Sequence, residues 1–537
     1  MGSGASAGLM SLVIKTGLMQ GREDAQRGYL DVEALAGELL TPGSVFAFLA
    51  GHRGRLFPDS MMEDLFPSRR GRPSVPAPVI GSVLVLQALQ GLSDRETAEA
   101  LTYDLRWKAA CGYGLTDTAF HPSTLTYWRR RLAGSGNPHR IMEAIAEVVA
   151  ETGVLKGKRR RAVDSTVLDD AVARQDTITQ LIAAVRRFGR DVPGGQDLVG
   201  IHARGYDYTR TGKPDIAWDD QDAKDGLISA LVTDALTLLA AVDPKTLESK
   251  AADAYALLAL VAGQDVEPAE DSDGTDGRWR IARRVAPDRM ISIVDPDTRH
   301  AHKTQSRQQD GYKAHIVIEP DTGLVTAAEL TKASGVENSD GAVGSRLITK
   351  DPTITGTGIQ ILADSAYGSG EMLAALALTG HTPVIKPWPL RPAVDGGFTL
   401  DDFTVDEAAG TATCPNGLTR TITAKRRVTF GAACTGCPLR NRCTTSPRGR
   451  KLELHEHDAL QREHRQRAAA PAFQDEYRTH RPMVERSIAW LTRSNRRVPH
   501  RGIGPNNAWL QLRIAGLNLR RLLNLGLHEN NGTWALA

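Results

Sequence analysis

The chain has 537 residues, 41% hydrophobic and 24% charged, which is ordinary for a globular protein and leaves room for two or three domains with sizeable cores. No run of about 18 apolar residues occurs, which argues against a membrane span. The N-terminal MGSGASAGLMSLVIKTGLMQGRED lacks a basic start ahead of an unbroken apolar core, since Lys15 interrupts it, so no secretion signal is expected and the protein is placed in the cytoplasm.

A net charge of +3 says little, but its distribution says more. Between Arg478 and Arg521 there are ten arginines and one acid, Glu485, and Lys156, Lys158, Arg159, Arg160 and Arg161 form a second basic cluster. Clustered cations beside candidate acidic sites favour a phosphate-backbone partner over a merely solvated face.

In chain order, residues 30 to 135 read as helical, with apolar positions in PVIGSVLVLQALQGL at helical spacing. Ser93 followed by Glu96 reads as a capping box opening DRETAEALTYDLRWKAA. HPSTLTYWRRRL predicts a further helix capped by Ser123, with Tyr127, Trp128, Arg129, Arg130 and Arg131 on it. Such a helix either enters a DNA groove or packs its aromatics inward with the arginines in water, and the residues fit both readings equally. Residues 1–150 are thus read as a helical N-terminal DNA-binding domain.

From residue 151 a catalytic domain is expected. A short strand, Ala162 to Asp164, ends in an acid, and residues 170–285 read as a mostly helical insertion. GYKAHIVIE and LVTAAELTKA, joined by PDTG, predict a hairpin. A helix over 338–350, a buried strand IQILAD ending in Asp364, a helix GEMLAALAL and a strand TPVIKP follow. Residues 388–470 form a Cys-rich insertion, and the last 60 residues are helical. With the insertions set aside the fold class is α/β, a mixed sheet flanked by helices. The acids fall on the first and fourth strands and the last helix, which is the ribonuclease H-like order.

Phosphoryl transfer on DNA needs an activated oxygen nucleophile and a stabilised leaving oxygen, and two Mg²⁺ ions about 4 Å apart serve both. Hard oxygen ligands suit Mg²⁺, so a few carboxylates suffice. Asp164 and Asp364 read as strand-end acids that converge at one end of the sheet. Each alone fits a turn or a cap; Glu485, among arginines, alone fits an ion pair.

VDST, ADSAYGSGE and RPMVERSIAWLTRSNRR together resemble the DDE transposases of bacterial insertion sequences. DRETAEALTYDLRWKAACG and HPSTLTYWRRRL resemble the helical domain that precedes the core in one large group of them, and GYKAHIVIEPDTGLVTAAELT its hairpin. The resemblance implies a ribonuclease H-like fold, two Mg²⁺ (or Mn²⁺) ions on Asp164, Asp364 and Glu485, and hydrolysis followed by strand transfer. Arg481, four residues before Glu485, matches the family's signature arginine and is expected on DNA phosphate. Tyr477 and Arg493 each stand one residue further from their partner than the signature has them. Trp490 fits either a base-stacking role or a core position. Arg478, Arg496 and Arg497 complete the expected DNA-binding set.

Cys414, Cys434, Cys437 and Cys443 include one C-x₂-C pair and suggest a structural Zn²⁺ site in a small zinc-ribbon-like insertion, against the plainer reading of four reduced thiols. Cys111, in an apolar helical setting, is expected in the core. The function these features imply is a transposase that binds terminal inverted repeats and target double-stranded DNA, as a homodimer or larger, associated with the nucleoid. The alternatives are a non-catalytic DNA-binding relative and a nuclease without strand transfer.

Overall fold

The computed structural model of the chain describes residues 20–23, 30–68, 73–284, 286, 288–304, 307–493 and 496–537. Residues 1–19 and 24, on which the expectation about secretion rests, lie outside them. The chain divides into two compact units, one of 1–158, 322–325 and 508–537 and the other of 159–321 and 326–507. No helix among the described residues is long and apolar enough to cross a membrane.

The first unit is helical. Its centre is the helix Ala77–Gln90, buried at every position from Ala77 to Ala88. That follows from a sequence with no polar face, which is stable as a helix only when surrounded. Trp107, Trp128, Leu49, Phe57 and Ile145 belong to the same core. The capping box forms as expected, Ser93 accepting from Glu96 N and Glu96 accepting from Ser93 N. Ser123 does not cap its helix. It is the first residue of Ser123–Ala133, and its N–H donates to His121 Nδ1 at 3.3 Å. Cys111 is fully buried, as its setting suggested.

The second unit is built on a six-stranded mixed sheet: β1 Arg160–Asp169, β2 Arg299–Thr304, β3 Arg307–Glu319, β4 Leu324–Lys332, β5 Gln360–Ala363 and β6 Thr382–Ile385. The order is β2-β3-β1-β5-β6, with β4 also on β3. β1 runs antiparallel to β3 and parallel to β5, and β5 parallel to β6. The β3–β4 hairpin closes through residues 320–323, where Gly323 takes φ 73°. Three helices matter for the site: α1 Asp340–Lys350, α2 Gly370–Leu378 and α3 Pro471–Thr492. Val163, Val317, Val343, Leu347, Ile361, Tyr367 and Leu373 form the core between the sheet and α1 and α2.

Two features differ from the sequence reading. β1 continues past Asp164 to Asp169, because Ser165–Asp169 pairs residue for residue with His315–Gly311. Asp164 is therefore a mid-strand residue, not a strand end. β2 is a strand the periodicity did not reveal, a short edge paired with the start of β3. At Gly311 a Cβ would stand 2.0 Å from the carbonyl oxygen of Leu168, so close strand approach there requires glycine.

Residues 170–298 form a mostly helical layer with its own core around Leu181, Phe188, Leu231 and Leu258. The acidic loop lies between the paired strands Val266–Pro268 and Trp279–Ile281. Residues 404–453 contain a three-stranded and a two-stranded sheet around Phe403, Phe430 and Leu452.

On β3, His315 is fully buried, its Nε2 3.2 Å from Thr331 Oγ1 and its Nδ1 3.7 Å from Asp340 Oδ1. Burial pushes its pKa down to about 3. The folded value lies below the unfolded one, so the unfolded chain takes up the proton first. This contribution to stability is present above about pH 6.5 and is lost as pH falls towards 3. We expect urea denaturation at pH 7 and pH 5 to differ by up to about 2 kcal/mol from this residue, and a His315→Gln variant to lose that part of the slope.

Candidate active site

Asp164 is placed by β1, opposite Ile316 on β3. Asp364 follows β5 directly and caps the short turn Ser365–Tyr367, its Oδ1 accepting from Ala366 N at 2.9 Å. The parallel pairing of β1 and β5 brings the two acids to the same part of the sheet. Across them runs α3, which starts at Pro471, where a missing N–H is harmless. One turn before Glu485 it carries Arg481.

Arg481 links the acids. Its Nη2 is 2.8 Å from Asp164 Oδ2 and 4.0 Å from Asp364 Oδ2, and its Nη1 donates to the Val163 carbonyl at 2.7 Å. The arginine is 5% exposed. Burial pushes the Asp164 carboxyl up despite this partner, with Asp364 adding to the rise. Asp364 is more open, its side chain 45% exposed. Glu485 is exposed on α3. Half-buried Tyr477 is close enough to Asp364, Glu485 and Asp164 to feel all three: burial raises its phenol, Arg481 opposes, and the three carboxylates add to the rise. This phenol, one position out of register with the family signature, thus stands at the site.

Behind Asp164, the next residue of β1 enters a second polar group. Ser165 Oγ donates to Asp340 Oδ1 at 2.6 Å, and Lys313 Nζ to Asp340 Oδ2 at 3.1 Å. Asp340 opens α1, so this group ties the strand bearing Asp164 to a helix start. Its members are far apart in sequence, and nothing in their spacing announces them.

The basic residues divide. Arg496 Nη1 donates to Thr166 Oγ1 at 3.3 Å and to the Val167 carbonyl at 3.1 Å, and Arg497 Nε to the Asp170 carbonyl at 2.7 Å. Both fasten the chain beyond α3 to β1, where Asp169 and Arg497 form a parallel bridge. Arg478 is exposed and 3.2 Å from Asp475. Arg493 is exposed at the end of α3, and Trp490 is half-buried. In the helical unit, Arg129 pairs with Asp94, 2.8 Å between Nη1 and Oδ1. Arg131 bonds the Leu65 carbonyl and lies over the rings of Phe66 and Tyr127 at 4.7 and 4.8 Å. Trp128 is fully buried, Tyr127 is exposed, and Arg130 faces solvent.

Cys414, Cys434, Cys437 and Cys443 line one small cavity with Phe398, Phe430 and Leu439. Cys414 follows the strand Thr411–Thr413 and opens a turn closed by Gly417 N on its carbonyl at 2.8 Å. Cys434 and Cys437 flank a similar turn, and Arg450 N approaches Cys434 Sγ at 3.5 Å. Burial raises the Cys443 thiol, with the three other sulfurs adding to the rise and Arg450 opposing. Among the described residues, no group of three or more His, Cys, Asp or Glu side chains is set in ion-holding geometry.

Two family models match the chain, Transposase DDE domain over residues 413–523 and Transposase domain (DUF772) over residues 53–131. The first span holds Glu485 and the four clustered cysteines, and neither span reaches Asp164 or Asp364. A DDE domain implies dependence on a divalent metal, usually Mg²⁺. No curated protein and no solved structure matches. The chain thus matches models of a transposase DDE domain and a DUF772 transposase domain, a combination typical of bacterial insertion-sequence transposases.

Proposed function

We propose that the protein is a DNA transposase that binds terminal inverted repeats, hydrolyses the element ends and transfers the freed strands to target DNA. The observation that carries this reading is that one carboxylate oxygen each from Asp164 and Asp364 approaches a single point, now held by the Arg481 Nη2 cation. Two hard acids around a position already favourable to positive charge suit Mg²⁺ or Mn²⁺. Asp164, Asp364 and Glu485 are the ligands in this reading, and two bound ions would activate the nucleophilic oxygen and stabilise the leaving one. Asp164 is held by its strand and the Val163–Arg481 contact, Asp364 by its cap. Glu485, exposed on α3, is free to swing onto an incoming ion. With β2 set aside, the order β4-β3-β1-β5-β6 supports a ribonuclease H-like core.

The exposed cations Arg130, Arg478 and Arg493 are the side chains in this set proposed to meet phosphate, Arg478 by giving up its contact to Asp475. Two DNA ends must be held together for transfer, so at least a dimer acts. The test is a labelled duplex carrying the element's terminal repeat, incubated with Mg²⁺ or EDTA beside a plasmid target. Metal-dependent nicks at the repeat boundary with joined plasmid products support the transposase. Nicks without joining make it a nuclease, and binding without nicks under any metal makes it a DNA-binding relative.

The four cysteines are proposed as a structural Zn²⁺ site. Four thiols lining one cavity, three on two turns and Cys443 at the end of a short helix, would suit a closed tetrahedral site once drawn together by the ion, which would remove the mutual repulsion of their thiolates. We expect about one zinc per chain by mass spectrometry of the purified protein, falling to near zero in Cys434→Ser with earlier unfolding of residues 388–470 in hydrogen exchange.

A further inference from the structure

Arg481 is unusual for a signature arginine expected on DNA. It is 5% exposed, and it faces the two aspartates. Its anchoring is incomplete: Nη1 and Nη2 have partners, but the buried Nε has none. Nη2 stands where the two carboxylate oxygens converge, 2.8 Å from Asp164 Oδ2 and 4.0 Å from Asp364 Oδ2, which is where a divalent ion would take both.

We propose that Arg481 is a built-in counter-cation that competes with divalent metal for Asp164 and Asp364, so that loading the first ion expels its guanidinium from the pocket. The inference rests on the metal-site reading above. Before loading, the positive charge keeps two nearby carboxylates compatible, one of them largely buried. On loading, repulsion between guanidinium and metal at contact distance drives the arginine out. It emerges one turn from Glu485, as a free cation beside the reacting phosphate. The side chain then does two jobs in sequence, first holding the empty pocket and then facing DNA.

Mn²⁺ binding to the full-length protein, followed by the paramagnetic resonance signal of free Mn²⁺, tests this. Arg481→Gln is expected to tighten binding at least about tenfold, while Arg481→Lys stays near wild type. Asp364→Ala serves as the control for the site. If wild type binds Mn²⁺ independently of Asp364, or not at all, the metal-site reading fails and takes this inference with it. If binding needs Asp364 but Arg481→Gln leaves it unchanged or weaker, only the competition is overturned. A second measurement needs no variant. An arginine-specific dicarbonyl, with modified peptides read by mass spectrometry, should leave Arg481 intact without metal and label it with Mn²⁺. Protection that persists at saturating Mn²⁺ overturns the proposal.

Discussion

An Asp364→Ala variant is expected to fold, to bind terminal-repeat DNA, and to nick it at least about 10³-fold more slowly than wild type in Mg²⁺, because a lost metal ligand removes several kcal/mol of transition-state stabilisation. Asp364 is the better choice of the two strand acids for this experiment. Its side chain is 45% exposed and 4.0 Å from Arg481, and its one cap bond closes a short turn. Removing it takes little from the fold. Asp164 is nearly buried and carries the close contact to Arg481 at 2.8 Å. Removing it would leave a buried arginine without its main partner, at about 3–5 kcal/mol, and a loss of activity would then say nothing about metal. The measurement is a denaturing gel of nicked products beside a mobility shift. Loss of cleavage with binding kept supports the ligand role, and near-wild-type cleavage removes Asp364 from the site.

Asp351→Ala is expected to lower the stability of the sheet-bearing unit by about 3–5 kcal/mol. Arg161 and Asp351 are both fully buried, 3.5 Å apart. Arg161 also donates to the Thr353 carbonyl at 3.0 Å and to Thr353 Oγ1 at 2.8 Å. Asp351 in turn accepts from Thr353 N at 2.9 Å, from Thr353 Oγ1 at 2.6 Å and from Thr326 Oγ1. Burial already pushes the Arg161 pKa down, against the pull of Asp351 and Glu319. Without Asp351 the guanidinium stays in the core with its main counter-charge gone, three residues upstream of Asp164 on the same strand. Replacing both partners, Arg161→Met with Asp351→Leu, removes the stranded charge and should recover much of the loss. Urea denaturation followed by intrinsic fluorescence distinguishes the two cases. Equal destabilisation by the single and double changes would mean that packing, not charge, sets the cost.

Much of this chain was legible before any coordinates. The all-apolar run 77–90, the Ser93–Glu96 box, the β3–β4 hairpin with its PDTG turn, and the strand leading to Asp364 are written in local pattern, and local pattern decides local structure. The grouping of Asp164, Asp364 and Glu485 came from a resemblance of motifs, and the cysteine grouping from spacing.

What the sequence left open was decided by partners distant along the chain. β1 runs on through Ser165 and Thr166 because β3 offers it a matching edge, although polar residues after an acid read locally as a strand end. β2 forms because a neighbour supplies its hydrogen bonds. Trp128 and Tyr127, adjacent on one helix and level in the sequence reading, part company because only one of them meets Phe66 in the core. The arginines show the same division. Composition alone makes Arg129, Arg131, Arg481, Arg496 and Arg497 equal cations. The tertiary structure gives each a carboxylate, carbonyl or aromatic partner and leaves Arg130 in solvent. Charge is a property of the sequence. Whether it is spent within the fold or presented to DNA depends on which groups the fold brings within a few ångströms of it.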